Sequence, residues 1–361
     1  MKILLIGEFS AVHKNLKDGL VALGHDVTIA ANGNGWKSIP CDIDISIESQ
    51  SLLGRLQYRK MLMDFISSIK GYDVVQFVNP FVFPGNLFPF KSSLKKIKKN
   101  NGAVFLLAAG SDAYFWKYGR EKLSYGPFND YLKYDLKAST HHYESKKFLQ
   151  LNDFFAKNVD GIIPVMHEYR VSYEHCDNMT PVVPLPVNVD DIQYSENNCV
   201  GKLVVFHGLN RPGFKGTHYV REAFEILRSK YPDELDLVID GKMPLDKYLK
   251  LMSQTNIIID QTNSYSLGLN GIFALAMGKV VLGGAEPESF ADFNIKSAPY
   301  FNIQPNKDSI VEKVEYLLHN KHLIPDIGMK SRAFAEQVHG HLHVAEKFLQ
   351  IWQQRDGKHA K

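Results

Sequence analysis

Cysteine is scarce in this chain: Cys41, Cys176 and Cys199 are its three, an odd number with neither CxxC nor metal-ligand spacing. That argues against a disulfide scaffold and a cysteine-bound metal, and fits a reducing cytoplasm. Long hydrophobic runs are also missing; none approaches the ~20 residues needed to span a bilayer. The opening MKILLIG is apolar but stops at Glu8, which excludes a signal peptide. There is no strong excess of either charge: the formal net charge is +3 and the sequence pI about 8.5, too mild to indicate nucleic acid. No GxGxxG follows the first strand-like run, which disfavours a dinucleotide oxidoreductase. Internal repeats and low-complexity tracts are absent as well.

What is present is ordinary globular composition, 45% hydrophobic and 22% charged, in a chain of 361 residues, long for one core. Strand-like and helix-like runs alternate. KILLI (2–6), DVTIA (26–30), DVVQFV (73–78), AVFLLA (103–108) and GIIPV (161–165) read as buried strands, with helical patterns between most of them. The stretch 181–198 carries three prolines and then loses periodicity, the mark of a linker. Alternation then restarts and ends in a helix near 343–355 with Val344, Phe348, Leu349 and Trp352 on one side. The expected fold class is α/β, with two Rossmann-like domains. The expected boundaries are an N-terminal domain over 1–185, a linker over 186–200, a C-terminal domain over 201–340, and a terminal helix and basic tail over 341–361.

Two segments of the second half have the form of an anion site. LVVFHGLNRPGFKG (203–216) is a strand, a glycine-bearing loop with Arg211 and Lys215, and a helix opening at Thr217. IIIDQTNSYSLGLNGIFALAMGKVVLGG (257–284) is a strand, a polar loop, a helix start at Leu269 and a further strand. Both place a loop and helix N-terminus at the carboxyl end of a strand, where open α/β sheets bind ligands and free N–H groups favour anions. Two such parts facing one space suggest a nucleotide-sugar site. The loop misses the P-loop pattern because Lys215 falls one place late and Gly216 replaces the hydroxyl residue, which rejects an ATPase.

The chain resembles the GT-B fold glycosyltransferases of the large retaining group, family four. MKILLIG…GLVALGHDVTIA is similar to that family's first strand, helix and "GHxV" strand. VNP (78–80) followed by KKNNGAVFLLAAGSD (98–112) looks like its acceptor-domain core. HGLNRPGFKG resembles its "GR…KG" diphosphate loop, and ALAMGKVVLGG its "EAMAxGKPVV" signature. The resemblance implies a GT-B arrangement, with two domains facing across a cleft and the terminal helix packing back on the N-terminal domain. It implies that Lys215 offsets charge on the departing diphosphate, with Arg211 beside it and Asp112, in GSD, near the donor sugar. Donor contacts would come from Gly208, Asn210 and Gly216 in the first loop, and from Gly241 after the next strand. In the second segment they would come from Asn263, Tyr265, Ser266, Gly268, Leu269 and Asn270. Gly7, Glu8 and Phe9 would lie on the acceptor side. The chain departs from the family at Tyr265 and Phe273, where two glutamates are usual.

Several residues have a plainer reading beside the functional one. Arg211 is out of register by a residue or two and serves equally as a surface arginine. Asp112 serves equally as a turn or helix cap, and Glu8 as a plain turn residue. His207 is either near the donor or a satisfied buried histidine. Asp42 and Asp44 read as surface carboxylates rather than a metal motif. His141–His142 and His339, His341 and His343 read as solvent-exposed. Lys91, Lys95, Lys96, Lys98 and Lys99 crowd one helix beside the aromatic loop 81–90, a solvated face or a dock for anionic lipid.

The reading is a metal-independent, cofactor-free transferase. It takes a nucleotide diphosphate sugar as donor and a glycan or lipid-linked acceptor. It acts in polysaccharide or lipopolysaccharide synthesis, in the cytoplasm or peripherally at the inner face of the membrane, with no nucleic-acid partner. The rivals are a non-catalytic GT-B-like partner-binding subunit and a nucleotide-sugar 2-epimerase.

Overall fold

The structure is a computed structural model that describes residues 1–32, 39–47, 49, 51–83, 89–135, 143–241 and 245–359. His141–His142, residues 84–88 of the aromatic loop and residues 242–244 after Gly241 lie outside the described residues. The chain divides into two compact units. The first comprises Met1–Gly119, His142–Asn188 and His341–Lys361; the second comprises Arg120–His141 and Val189–Gly340. Residues 120–141, expected in the N-terminal domain, thus belong to the second unit.

The first unit is built on a six-stranded parallel sheet. Its strands are β1 (Lys2–Ile6), β2 (Asp26–Ala31), β3 (Ile43–Asp44), β4 (Val74–Phe77), β5 (Ala103–Ala108) and β6 (Gly161–Pro164). Their order across the sheet is β3-β2-β1-β4-β5-β6. Helices cover both faces of such a sheet, so its strands read as unbroken apolar runs. Ile3 to Ile6 and Val104 to Ala108 have no exposed surface. The order reverses between β1 and β4, which makes their carboxyl ends the crevice of this sheet.

The helices of this unit are α1 (Val12–Ala22), α2 (Leu52–Ser68), α3 (Phe90–Asn100), α4 (Lys146–Asn158) and α5 (His167–Tyr173). Ser51 caps α2 by accepting from the Gly54 amide, and Ser145 caps α4 from Phe148. The terminal helix (His341–His359) packs on α1. Gly19 permits the approach: a Cβ there would stand 2.3 Å from the His341 carbonyl oxygen. Val344, Phe348 and Trp352 of the terminal helix are fully buried, and Trp352 lies 6.3 Å from the Phe105 ring on β5. His339 and His341, expected in solvent, are also buried, whereas His343 is exposed. The stretch expected as a linker is packed from its start: Val182 to Val187 are buried, and the chain passes between units at Asn188.

The second unit carries β7 (Leu203–Gly208), β8 (Leu235–Asp240), β9 (Ile257–Ile259), β10 (Val280–Gly283) and β11 (Phe301–Asn302), in the order β11-β10-β9-β7-β8, all parallel. Its helices include α6 (Pro212–Lys215), α7 (Thr217–Lys230), α8 (Leu245–Ser253), α9 (Leu269–Ala276), α10 (Lys307–His319) and α11 (Ile324–Phe334). Val205, Ile257 and Ile259 from the sheet meet Phe224 and Leu227 from α7 and Val314 and Leu317 from α10 in one core. Here the order reverses between β7 and β9. The two segments with the form of an anion site leave from these two strands, so topology sets them side by side.

Candidate active site

At the end of β7 the chain makes a tight double turn. Arg211 takes a left-handed backbone conformation at φ 53°, α6 forms a single turn, and Gly216 takes φ 69° before α7 begins. Gly216 has no alternative, because a Cβ would stand 2.0 Å from Thr262 Oγ1. The Thr262 amide donates to the Lys215 carbonyl at 3.1 Å, stitching this loop to the one after β9.

These turns bury Lys215. Its side chain is 10% exposed, and its Nζ lies 3.4 Å from Oδ1 of Asp260, which is 1% exposed. The other Asp260 oxygen accepts from the Gly268 amide at 2.8 Å, at the N-cap of α9. One carboxylate therefore joins Lys215 to the start of α9. A buried cation needs such a partner, since an isolated charge in a low-dielectric interior is very costly. The ammonium and the helix N-terminus converge on this carboxylate, both groups that favour an anion.

The other residues expected to contact a donor lie on the loops after β7, β8 and β9. Gly208 ends β7, and half-buried Asn210 follows it. The Asn263 amide donates to the Gly213 carbonyl at 3.0 Å. Ser266 is buried, its carbonyl accepting from Gln261 and from the Ser264 hydroxyl. Leu269 is buried and Asn270 half-buried in the first turn of α9. Tyr265, at the first glutamate position of the resemblance, is buried, and its ring stacks on Tyr125 at 4.7 Å. Gly241 lies against the β7 loop, where a Cβ would stand 2.2 Å from the Leu209 carbonyl.

Arg211 does not join the Lys215–Asp260 pair. Its side chain is exposed, and its guanidinium stacks 3.9 Å from the Phe214 ring centre. His207 is the satisfied buried histidine of its plainer reading. Its two ring nitrogens contact the Ile259 carbonyl and the Thr217 hydroxyl, both at 2.9 Å. Burial, with the Lys215 charge adding to it, lowers its pKa to about 3, so the ring is neutral.

Sequence reasoning missed three carboxylates. Asp260 had a legible signal, an acid at the carboxyl end of an all-isoleucine strand. Asp130 and Asp135 had none, because their partners lie far along the chain. Both Asp135 oxygens accept from the loop, from the Gly213 amide at 3.1 Å and the Phe214 amide at 2.7 Å. Asp130 accepts from the Asn263 amide at 2.9 Å.

In the first unit, Gly7, Glu8 and Phe9 leave the carboxyl end of β1, as expected of residues at a crevice. Gly7 has φ 84°, and a Cβ there would stand 2.7 Å from Val78. Phe9 lies over Gly110, so the first loop meets the segment leading to Asp112. Glu8 is 2% exposed; one oxygen accepts from the Lys14 amide at 2.8 Å, and the other has no partner. Burial raises its pKa from 4.5 to about 7 despite the backbone hydrogen bonds that oppose the shift. His13 beside it is buried and neutral, its pKa lowered by burial to about 4. Asp112 has no exposed surface. It caps a helical turn by accepting from the Phe115 amide at 2.8 Å, and its other oxygen accepts from the Tyr173 hydroxyl at 2.6 Å. Burial raises its pKa to about 6.

Two parallel-sheet Rossmann-like units with flanking helices are the fold class of the GT-B glycosyltransferases. No family model matches the chain, and no curated protein matches it. Solved structures do. HepE from Anabaena, in complex with UDP and glucose, is 11% identical with a TM-score of 0.61, covering 98% of this chain and 100% of that one. Sucrose-phosphate synthase from Thermosynechococcus elongatus is 12% identical with a TM-score of 0.64, covering 98% and 99%. UDP-GlcNAc 2-epimerase from Neisseria meningitidis, bound to UDP-GlcNAc, is 14% identical with a TM-score of 0.55, covering 98% and 100%. Transferases and an epimerase share the fold, so the fold alone does not choose between them.

Proposed function

We propose that this protein transfers a sugar from a nucleotide diphosphate sugar to a hydroxyl of a glycan or lipid-linked acceptor. The observation that carries the reading is the buried Lys215, held by Asp260 against the start of α9 at the reversal point of the second sheet. The like-folded HepE with UDP and glucose supports it. Lys215 offsets the charge that grows on the diphosphate as the glycosidic bond breaks. Lys215 and the α9 amides supply the positive potential that a metal supplies elsewhere, so the reaction is metal-independent. The acceptor oxygen bonds to the anomeric carbon, the bond from that carbon to the phosphate oxygen breaks, and the acceptor's proton passes to the departing phosphate. The configuration is retained. Glu8, with a pKa near neutrality, and Asp112 serve the acceptor side.

The pathway is cell-surface polysaccharide synthesis, at the inner face of the membrane. Among the described residues no helix is long and apolar enough to cross a membrane. Peripheral contact runs instead through α3, where Lys91, Lys95, Lys96, Lys98 and Lys99 are exposed above buried Leu94 and Ile97. Equilibrium binding of UDP, GDP, ADP and CMP tests the reading, with Lys215→Met/Asp260→Asn alongside. One nucleotide should bind the native chain and be lost in the variant. A folded native chain that binds none overturns the reading.

A second reading, a non-catalytic partner-binding subunit, draws on Tyr265. Tyr265 replaces a family glutamate and is buried against Tyr125, with its hydroxyl accepting from the Ser124 amide. Binding of a nucleotide without release of sugar to water or to any acceptor would favour it.

A further inference from the structure

The connections that carry α2 from β3 to β4, α3 from β4 to β5 and α4 from β5 to β6 all run in one direction across the first sheet. Right-handed crossovers therefore set the three helices on one face of it. Contacts join them: Lys96 on α3 donates to the Ser67 hydroxyl on α2 at 2.8 Å, and the Phe90 ring lies 5.3 Å from that of Phe155 on α4. Within this layer α2 has two apolar sides. Tyr58, Leu62, Phe65 and Ile66 are buried against the unit. Leu52, Leu53, Leu56 and Met63 point the other way and are 80%, 67%, 58% and 36% exposed. At 3.6 residues per turn these four fall within about 100° of one another, so they form one stripe that the core does not use.

The charge of the layer is one-sided. α2 carries Arg55, Arg59 and Lys60 against Asp64, α3 five lysines and no acid, and α4 three lysines against Asp153. Eleven cations against two acids make +9, in a chain whose net charge is +3. Asp160, just past α4, is already paired with Lys98 at 2.7 Å. A cavity of about 270 Å³ opens on α3, lined by Leu94, Lys95, Lys98, Lys99 and Asn158, and with Lys98 paired its cations are Lys95 and Lys99. An exposed apolar stripe set among cations matches the interface of an anionic membrane, apolar below and negative at the headgroups. A second copy of this chain fits less well, because a two-fold contact would set the face against itself, cation on cation.

We propose that α2 and α3 form one docking surface for an anionic lipid bilayer, in which Leu52, Leu53, Leu56 and Met63 enter the apolar boundary while Lys95 and Lys99 hold headgroup phosphates. The proposal deepens the peripheral contact assigned to α3 above by adding an apolar anchor, and it is independent of the donor reading of the Lys215 site. Apolar burial and electrostatic attraction add in such binding, so removing either part weakens it.

The test is co-sedimentation of the full chain with vesicles of phosphatidylglycerol and of phosphatidylcholine. The native chain should bind the first and not the second. Leu52→Gln/Leu53→Gln/Leu56→Gln, at positions outside the core, should bind about tenfold more weakly or worse, and Lys95→Gln/Lys99→Gln should also lose binding. In the native chain, phosphatidylglycerol vesicles should slow tryptic cleavage after Arg55 and Arg59, a readout that needs no variant to fold. If the leucine variant binds as the native chain does, or the vesicles leave that cleavage unchanged, the α2 anchor is overturned; loss of binding in the lysine variant then leaves the α3 contact standing alone. Equal binding to phosphatidylcholine overturns the anionic partner. A native dimer that the leucine substitutions convert to monomer overturns the proposal in favour of a second copy on this face. If the native chain binds neither vesicle, the α2 anchor and the α3 contact fall together, and nucleotide binding at Lys215 is untouched by that result.

Discussion

The two units solve the same topological problem with opposite chemistry. Each is a parallel sheet with one reversal point, and each sends glycine-bearing turns from the strands beside it. At the β1 end the first unit buries a carboxyl, Glu8, beside a neutral histidine. At the β7 end the second unit buries an ammonium, Lys215, and pairs it with Asp260. The first keeps its group near neutrality by shifting its pKa, the second by supplying a counter-ion. The architecture fixes where a crevice lies, and single residues at the strand ends fix its charge.

The largest test of this contrast is to remove one partner of the ion pair. Lys215→Ala or Asp260→Ala leaves a buried charge alone and should cost about 3–5 kcal/mol by denaturant unfolding. The double variant Lys215→Met/Asp260→Asn should recover most of it. Equal losses in single and double variants would show that the pair does not hold the crevice. Next is Gly216→Ala, which forces a side chain into a left-handed backbone and against Thr262; it should cost about 3 kcal/mol.

Glu8→Gln should show a pH-dependent gain. The folded-state pKa near 7 lies above the ordinary 4.5, so the folded chain holds a proton that the unfolded chain releases. Stability from this group is full below about pH 4.5 and lost as pH rises through 7. The variant should therefore match the native chain near pH 4.5 and exceed it by about 3 kcal/mol at pH 8. A constant difference across that range would mean that Glu8 titrates as an ordinary surface acid. The smallest effect is Ser51→Ala, which removes the cap of α2 and should cost about 1 kcal/mol in thermal unfolding. A larger loss would tie α2 to the crevice of its unit.

Local pattern made much of this legible. Ile3 to Ile6 and Ile257 to Ile259 are apolar on both faces, so they had to be buried parallel strands. Lys215 and the start of α9 were legible because glycine turns after such strands occur where sheets bind anions. Asp112 was legible as a residue of interest but open in role, since a cap and a ligand contact use the same side chain. Its burial and its bond to Tyr173 depend on a helix 61 residues onward.

By itself the sequence determined the alternation of strands and helices, the parallel sheets, and the loop that carries Lys215. These follow from periodicity, glycine and charge within a dozen neighbouring residues. Tertiary structure alone decided the strand orders that create the two crevices, the pairing of Lys215 with Asp260, and the placement of Asp130 and Asp135 beside Gly213. Each joins residues 45 or more positions apart. A buried charge selects its partner by distance in space, on which local pattern carries no information.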